Sequence, residues 1–255
     1  MLFEFMNGGL SYDPAVIAAN TRDHLAWVLL FNGLGFFGGF VQMVGAIWVG
    51  FKHKSHGVPL LCATWFLADD ATYFLNYQHW FHDMDYWPAQ GAWFTMIFYV
   101  ITELTVMYQI MKYSRDEVFP GMSFMQALLS LISLVVLGFA VFWWFMSMLN
   151  DPLYLFKFAS TIIIGPLWLI PMMRARGSRK GFNLISLGGT ILVAAGFWPW
   201  LFVIEPYFRQ PMFFIIAFGN VAMGFVCLWY WRTLPEYKVS AATLSAALPR
   251  GSLTT

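Results

Sequence analysis

Long apolar runs separated by short polar connections fill most of the chain. Seven stretches, roughly 26–50, 58–77, 90–112, 123–148, 153–173, 183–203 and 211–231, each hold about the 20 mainly apolar residues that a bilayer-crossing helix needs. The connections read FKHKSHG, NYQHWFHDMDYWPAQG, KYSRDEVFPG, LNDP, RARGSRKG and EPYFRQP. The pattern predicts an all-α integral membrane protein with seven transmembrane helices over 26–232. Asp13-Pro14 followed by AVIAANTRDHL predicts a capped helix at the membrane interface within an N-terminal segment, 1–25. The small, polar segment 233–255 reads as a disordered cytoplasmic tail.

Composition agrees with this division. The chain is 60% hydrophobic and only 11% charged, too little polar material to cover a soluble domain of 255 residues. Its cations alternate between connections: Lys52, Lys54, Lys112, Arg115, Arg174, Arg176, Arg179, Lys180, Arg232, Lys238 and Arg250 on one side, with Arg22, Lys157 and Arg209 on the other. By the positive-inside rule the N-terminus is outside and the C-terminus cytoplasmic, in a bacterial inner membrane or a eukaryotic endomembrane. A net charge of +1 argues against a nucleic-acid partner. There is no Walker, Rossmann or zinc-protease motif, and Cys62 and Cys227 both fall inside spans, with no basis for a disulfide framework. No cofactor is expected.

WVGFKHKSHGVPLL (48–61) and MMRARGSRKGFNLI (172–185) share an outline, a span end, a basic loop, a glycine and a new span, with Gly57 matching Gly181. This fits a repeat of three helices, a linker helix and three more, as in some transporters. Topology alone also produces much of the likeness.

The chemistry concentrates in the polar residues within spans. Asp69 and Asp70 lie about 12 residues, or about 18 Å, into the second span, and Glu103 lies similarly far into the third from the opposite side. Three carboxylates at one depth are expensive in a bilayer, which makes them the leading candidates for function. Burial and mutual repulsion lead us to expect a proton on at least one of them near neutrality. Helical spacing lets Tyr73 meet both aspartates, with Trp65 one turn before Asp69 and Asn76 one turn beyond Tyr73. Tying helices together through Tyr, Asn or Thr is the plainer role for such acids.

Trp65, Tyr73, Phe74 and Phe98, at the depth of the acids, are placed to line a cavity for an apolar or cationic guest. The loop HWFHDMD supplies His79, His82, Asp83 and Asp85, with Asp23 and His24 on the same side, as weak metal candidates; no helix face repeats a ligand pair, so no metal site is assigned. Pro166, Pro171 and Pro199 are expected to interrupt the fifth and sixth spans. Gly35, Gly38 and Gly39 permit close approach in the first.

The order of these features resembles the membrane-bound terpene cyclases of fungal meroterpenoid and indole-diterpene biosynthesis, seven-helix proteins of similar length. Their basic loop with Y-G-M, Leu-Cys pair and W-E-x-x-Y correspond here to His56-Gly57-Val58, Leu61-Cys62 and Asp69-Asp70-Ala71-Thr72-Tyr73. Val106-Met107-Tyr108, Ser178-Arg179-Lys180-Gly181 and Cys227-Leu228-Trp229-Tyr230 extend the likeness over almost all the membrane domain. The motifs are short and degenerate. Asp69 replaces the tryptophan before the family's glutamate, Glu103 replaces an asparagine, and Val221, beside Asn220, stands where the family has a second aspartate on the seventh helix.

The resemblance implies a cyclase or isomerase, with a proton donated to an epoxide or alkene of a prenylated, lipid-like substrate and aromatics steadying the carbocation. Asp70 would be the acid and Asp69 or Glu103 the counter-acid or base, with Tyr73 beside them. Trp65, Asn76, Phe98, Asn220 and Trp229 would contact substrate. The alternatives from other classes are a proton-coupled or small-molecule carrier, and a non-catalytic subunit that packs partners or pigments.

Overall fold

The computed structural model describes residues 12–84, 86–149 and 151–238. Among them the fold is all-helical: α1 (Pro14–Asp23), α2 (Leu25–His53), α3 (Leu60–Leu75), a π-helical turn (His79–Asp83), α4 (Trp87–Tyr113), the single turn α5 (Arg115–Val118), α6 (Phe124–Leu149), α7 (Leu155–Arg176), α8 (Leu184–Ile204), a 3-10 turn (Pro206–Arg209) and α9 (Pro211–Thr233). Asp13 caps α1 as expected, its Oδ1 accepting from the Ala15 amide at 2.8 Å. Asp85 and the tail beyond residue 238 lie outside the described residues.

Six helices, α2, α4, α6, α7, α8 and α9, are long and apolar enough to cross a membrane, so the chain has the architecture of a multi-pass membrane protein. The stretch expected to span at 58–77 forms α3, only 16 residues or about 24 Å long. Its end has a local cause. Side chains crowd the carbonyls of its last turn: Asn76 Nδ2 donates to Thr72 O, Trp80 Nε1 to Tyr73 O and Trp93 Nε1 to Phe74 O, at 2.9, 2.8 and 2.7 Å. The Asn76 amide still bonds Thr72 O and Tyr73 O, so these donors close the final turn alongside the backbone.

The prolines do not interrupt their helices, contrary to the sequence expectation; α7 runs through Pro166 and Pro171, and α8 through Pro199. Pro166 lacks the amide that would bond Ile162 O one turn earlier. Asn220 Nδ2 of α9 donates to that carbonyl instead, at 3.3 Å. A neighbouring helix thus satisfies the group that proline frees, which removes the main penalty in a membrane.

The most extensive helix pair is α2 with α8. Glycine brings their backbones together: a Cβ on Gly38 would stand 2.6 Å from Val193 N, and one on Gly189 would collide with the Gln42 backbone. α8 is largely enclosed, whereas α6 exposes Val136, Leu137, Trp143 and Trp144, the surface expected of a lipid-facing helix. The two loops with matching glycines meet at one end, here called the basic end. There Arg176 Nη1 donates to His56 O (2.8 Å), Arg176 Nε to Glu117 Oε1 (2.8 Å) and the Gly181 amide to His53 Nδ1 (3.1 Å). The opposite end carries α1, the π-helical turn and the 151–154 turn.

Adjacent glycines of α8 provide a matched test of this packing. Gly189→Ala is expected to cost about 1–3 kcal/mol through overpacking, read as a lower melting temperature in detergent. Gly188→Ala, whose new Cβ would meet nothing within 4 Å, is expected to leave the melt unchanged or raise it.

Candidate functional site

The three acids do not act as one cluster. Asp69 turns towards α7, where Lys157 Nζ lies 2.5 Å from its Oδ1, and Thr161 Oγ1 donates to its Oδ2. Both charged side chains are buried, at 4% and 1% exposure. Lys157 Nζ also approaches Asp69 O at 3.4 Å and lies 4.1, 4.7 and 5.4 Å from the ring centres of Tyr154, Phe142 and Tyr73. A carboxylate, a carbonyl and three ring faces replace the water that an ammonium loses on burial.

This corrects the expectation that Lys157 is one of the loop cations opposite the basic end. It is the third residue of α7 and belongs to the interior. Asp151 explains how the helix begins there: its carboxylate accepts from the amides of Leu155, Phe156 and Lys157 at 2.8, 2.8 and 3.1 Å. The Tyr12 hydroxyl donates to the same carboxylate and accepts from the Leu153 amide. The turn so held keeps Tyr154 at φ 59°, a conformation uncommon for a bulky residue. The Tyr154 hydroxyl accepts from Asn76 Nδ2 at 2.8 Å.

Asp70 faces the other way. It and Glu103 of α4 lie within side-chain hydrogen-bonding reach of each other. Glu103 is 1% exposed and its Oε2 has no donor partner. The nearby Tyr99 hydroxyl is committed to Phe36 O, at 2.9 Å. Two carboxyl groups at this range attract only with a proton between them and repel without it.

Two cavities meet at Asp70. One is polar on one side, where Asp69, Tyr73, Tyr86, Tyr154 and Lys157 line it towards the end opposite the basic loops. The second is mostly apolar and aromatic, with Phe66, Tyr99, Phe158 and Phe197 around Glu103. Phe36, Asp70, Met96 and Phe158 border both. A third, smaller space reaches Gly57 and Pro59 at the basic end and shares Gln42, Phe66, Gly165 and Thr190 with the second.

Several expected contacts fall elsewhere. Tyr73 lines the first cavity, but its hydroxyl donates to Ala89 O (3.1 Å) and its ring stacks on Trp80, rather than bonding the aspartates. Trp65 packs edge-on to Phe142 of α6, Phe98 packs on Phe40, and neither borders the two cavities. Phe74 stacks on Trp93. Asn220 is consumed by Ile162 O and Trp198 Nε1, and Trp229 is 65% exposed on the outer surface. Asn76 reaches the site only through Tyr154. His79 bonds Pro152 O at 2.7 Å and sits 3.8 Å from Asp83, while His82 lies against Tyr77. Among the described residues no three metal-binding side chains gather.

The ion pair can be tested by which partner is removed. Lys157→Met alone is expected to cost about 3–5 kcal/mol by stranding Asp69, seen as a large loss of melting temperature in detergent. Adding Asp69→Leu is expected to restore most of that loss. Equal destabilisation in the single and double variants would show that Lys157 contributes packing and not charge pairing.

Comparison with family models, with curated proteins and with solved structures gives no match.

Proposed function

We propose that the chain is a membrane-embedded isomerase that cyclises or rearranges a lipid-like, prenylated substrate by acid-initiated carbocation chemistry. The observation that carries this reading is the placing of Asp70 and Glu103 together on one aromatic-walled cavity. A proton held between the two carboxyls is available to an alkene carbon or an epoxide oxygen. The resulting cation closes on a second double bond, and loss of a proton from an adjacent carbon to the carboxylate restores the pair. Proton gain and loss balance, so substrate and product have the same mass. Ring faces of Phe158, Phe197 and Tyr99 are placed to attract the intermediate cation.

The resemblance to membrane-bound terpene cyclases supports the same reading, with Asp70 at the family's glutamate. Val221 at the place of the second family acid is offset in this proposal by Glu103, which supplies a carboxyl from α4. Counting α3 as a span gives seven, with the N-terminus outside by the distribution of cations. The fuller reading of the architecture is three helices, the exposed α6 as linker, and three more. The pairing of α2 with α8 and of α3 with α7, and of α3 with α4 and α8 with α9, supports it.

A carrier is the second reading. It is favoured by the string of cavities that meets at Asp70 and continues towards the basic end.

Untargeted mass spectrometry of lipid extracts from expressing membranes separates the two readings. The isomerase reading expects a species of unchanged mass and shifted retention with the wild type. Its formation should fall by about 10²–10⁴-fold in a folded, equally abundant Asp70→Asn variant. Normal product from that variant defeats the assignment. Absence of any such species, together with substrate counterflow in liposomes that Glu103→Gln abolishes, establishes the carrier.

A further inference from the structure

A separate groove lies at the basic end, where the end of α2, the start of α8 and the end of α9 converge. It is lined by Trp48, Lys52, Arg179, Leu184, Ile185 and Trp231, among others. None of these residues borders the cavities at Asp70.

The groove is amphipathic along its depth. Trp48, Leu184 and Ile185 are large apolar side chains left 53%, 52% and 49% exposed. Cations sit above aromatic rings at its rim: Lys52 Nζ is 5.2 Å from the Trp48 ring centre, and the Arg179 guanidinium 4.5 Å from that of Trp231. Arg179 is held in place by Trp231 O and Arg232 O (3.1 and 2.8 Å), with Glu236 at 3.7 Å. Lys52 pairs with no carboxylate among the described residues. Glu236 also borders the groove and is taken up by Arg179, which leaves Lys52 open to an anion from outside.

We infer that this groove binds one anionic phospholipid, its phosphodiester against Lys52 and its acyl chains over Trp48, Leu184 and Ile185. A cation free of carboxylates above an exposed apolar floor matches an anionic headgroup with its chains. The apolar floor matches a lipid and has no use for free phosphate. Basic pockets between helices at the membrane interface recognise lipid headgroups by the same chemistry. The site is independent of the reaction proposed at Asp70.

Native mass spectrometry of the delipidated protein in detergent tests this, with phosphatidylglycerol and phosphatidylcholine of identical acyl chains added in turn. The expected result is one retained phosphatidylglycerol, at least about fivefold preferred over phosphatidylcholine. Lys52→Gln is expected to remove that preference, with helical content unchanged. Excess inorganic phosphate is expected not to displace the lipid. Equal retention of the two lipids, an unchanged preference in Lys52→Gln, or displacement by inorganic phosphate would overturn the assignment.

Discussion

The buried ion pair of Lys157 with Asp69 is the constraint on which the rest of the site depends. A lone ammonium or carboxylate inside an apolar bundle is strongly disfavoured, so each charge requires the other. The pair joins α3 to α7 and thereby fixes the rotation of α3 about its axis. Successive residues on a helix point about 100° apart. With Asp69 committed to α7, Asp70 has to face another direction, and it faces Glu103 and the cavities. Adjacent, chemically identical residues therefore take different tasks through the geometry of one helix.

Supports for that pair extend to the end of the bundle opposite the basic loops. Asp151 caps the start of α7, Tyr12 secures Asp151, and Asn76 at the end of α3 anchors the hydroxyl of Tyr154, whose ring face lies against the ammonium. The short α3, the left-handed Tyr154 and the capped turn at 151–154 are parts of one arrangement. They place a fixed positive charge on one side of the first cavity and leave the wall beside Asp70 apolar. Such local irregularity costs stability and is found where a site over-determines it. In the proposed reaction, this arrangement leaves only the Asp70–Glu103 pair to exchange a proton with an apolar substrate.

The long helices were legible in the sequence because apolar runs and polar connections alternate so sharply; six expected spans match observed helices to within a few residues at each end. The three acids were legible as well, since carboxyl groups inside apolar runs are conspicuous. Their partners were not. Lys157 follows the LNDP connection so closely that pattern alone could not separate a loop cation from an interior one; the signal available was Asp151, four to six residues ahead of the amides it caps. Trp65, Phe98 and Trp229 were misplaced because aromatic residues serve lipid-facing, packing and lining roles alike, and only tertiary packing selects among them. Asn220 gave no sign in its own neighbourhood that Pro166, on another helix, would free a carbonyl for it.

The central claim is the division of labour among the acids, and infrared spectroscopy of the carboxyl C=O band tests it most directly. A protonated-carboxyl band is expected in the purified wild type near neutral pH, shifted or lost in Asp70→Asn and in Glu103→Gln and unchanged in Asp69→Asn. A wild-type spectrum without that band, or a band that disappears only with Asp69, would contradict it.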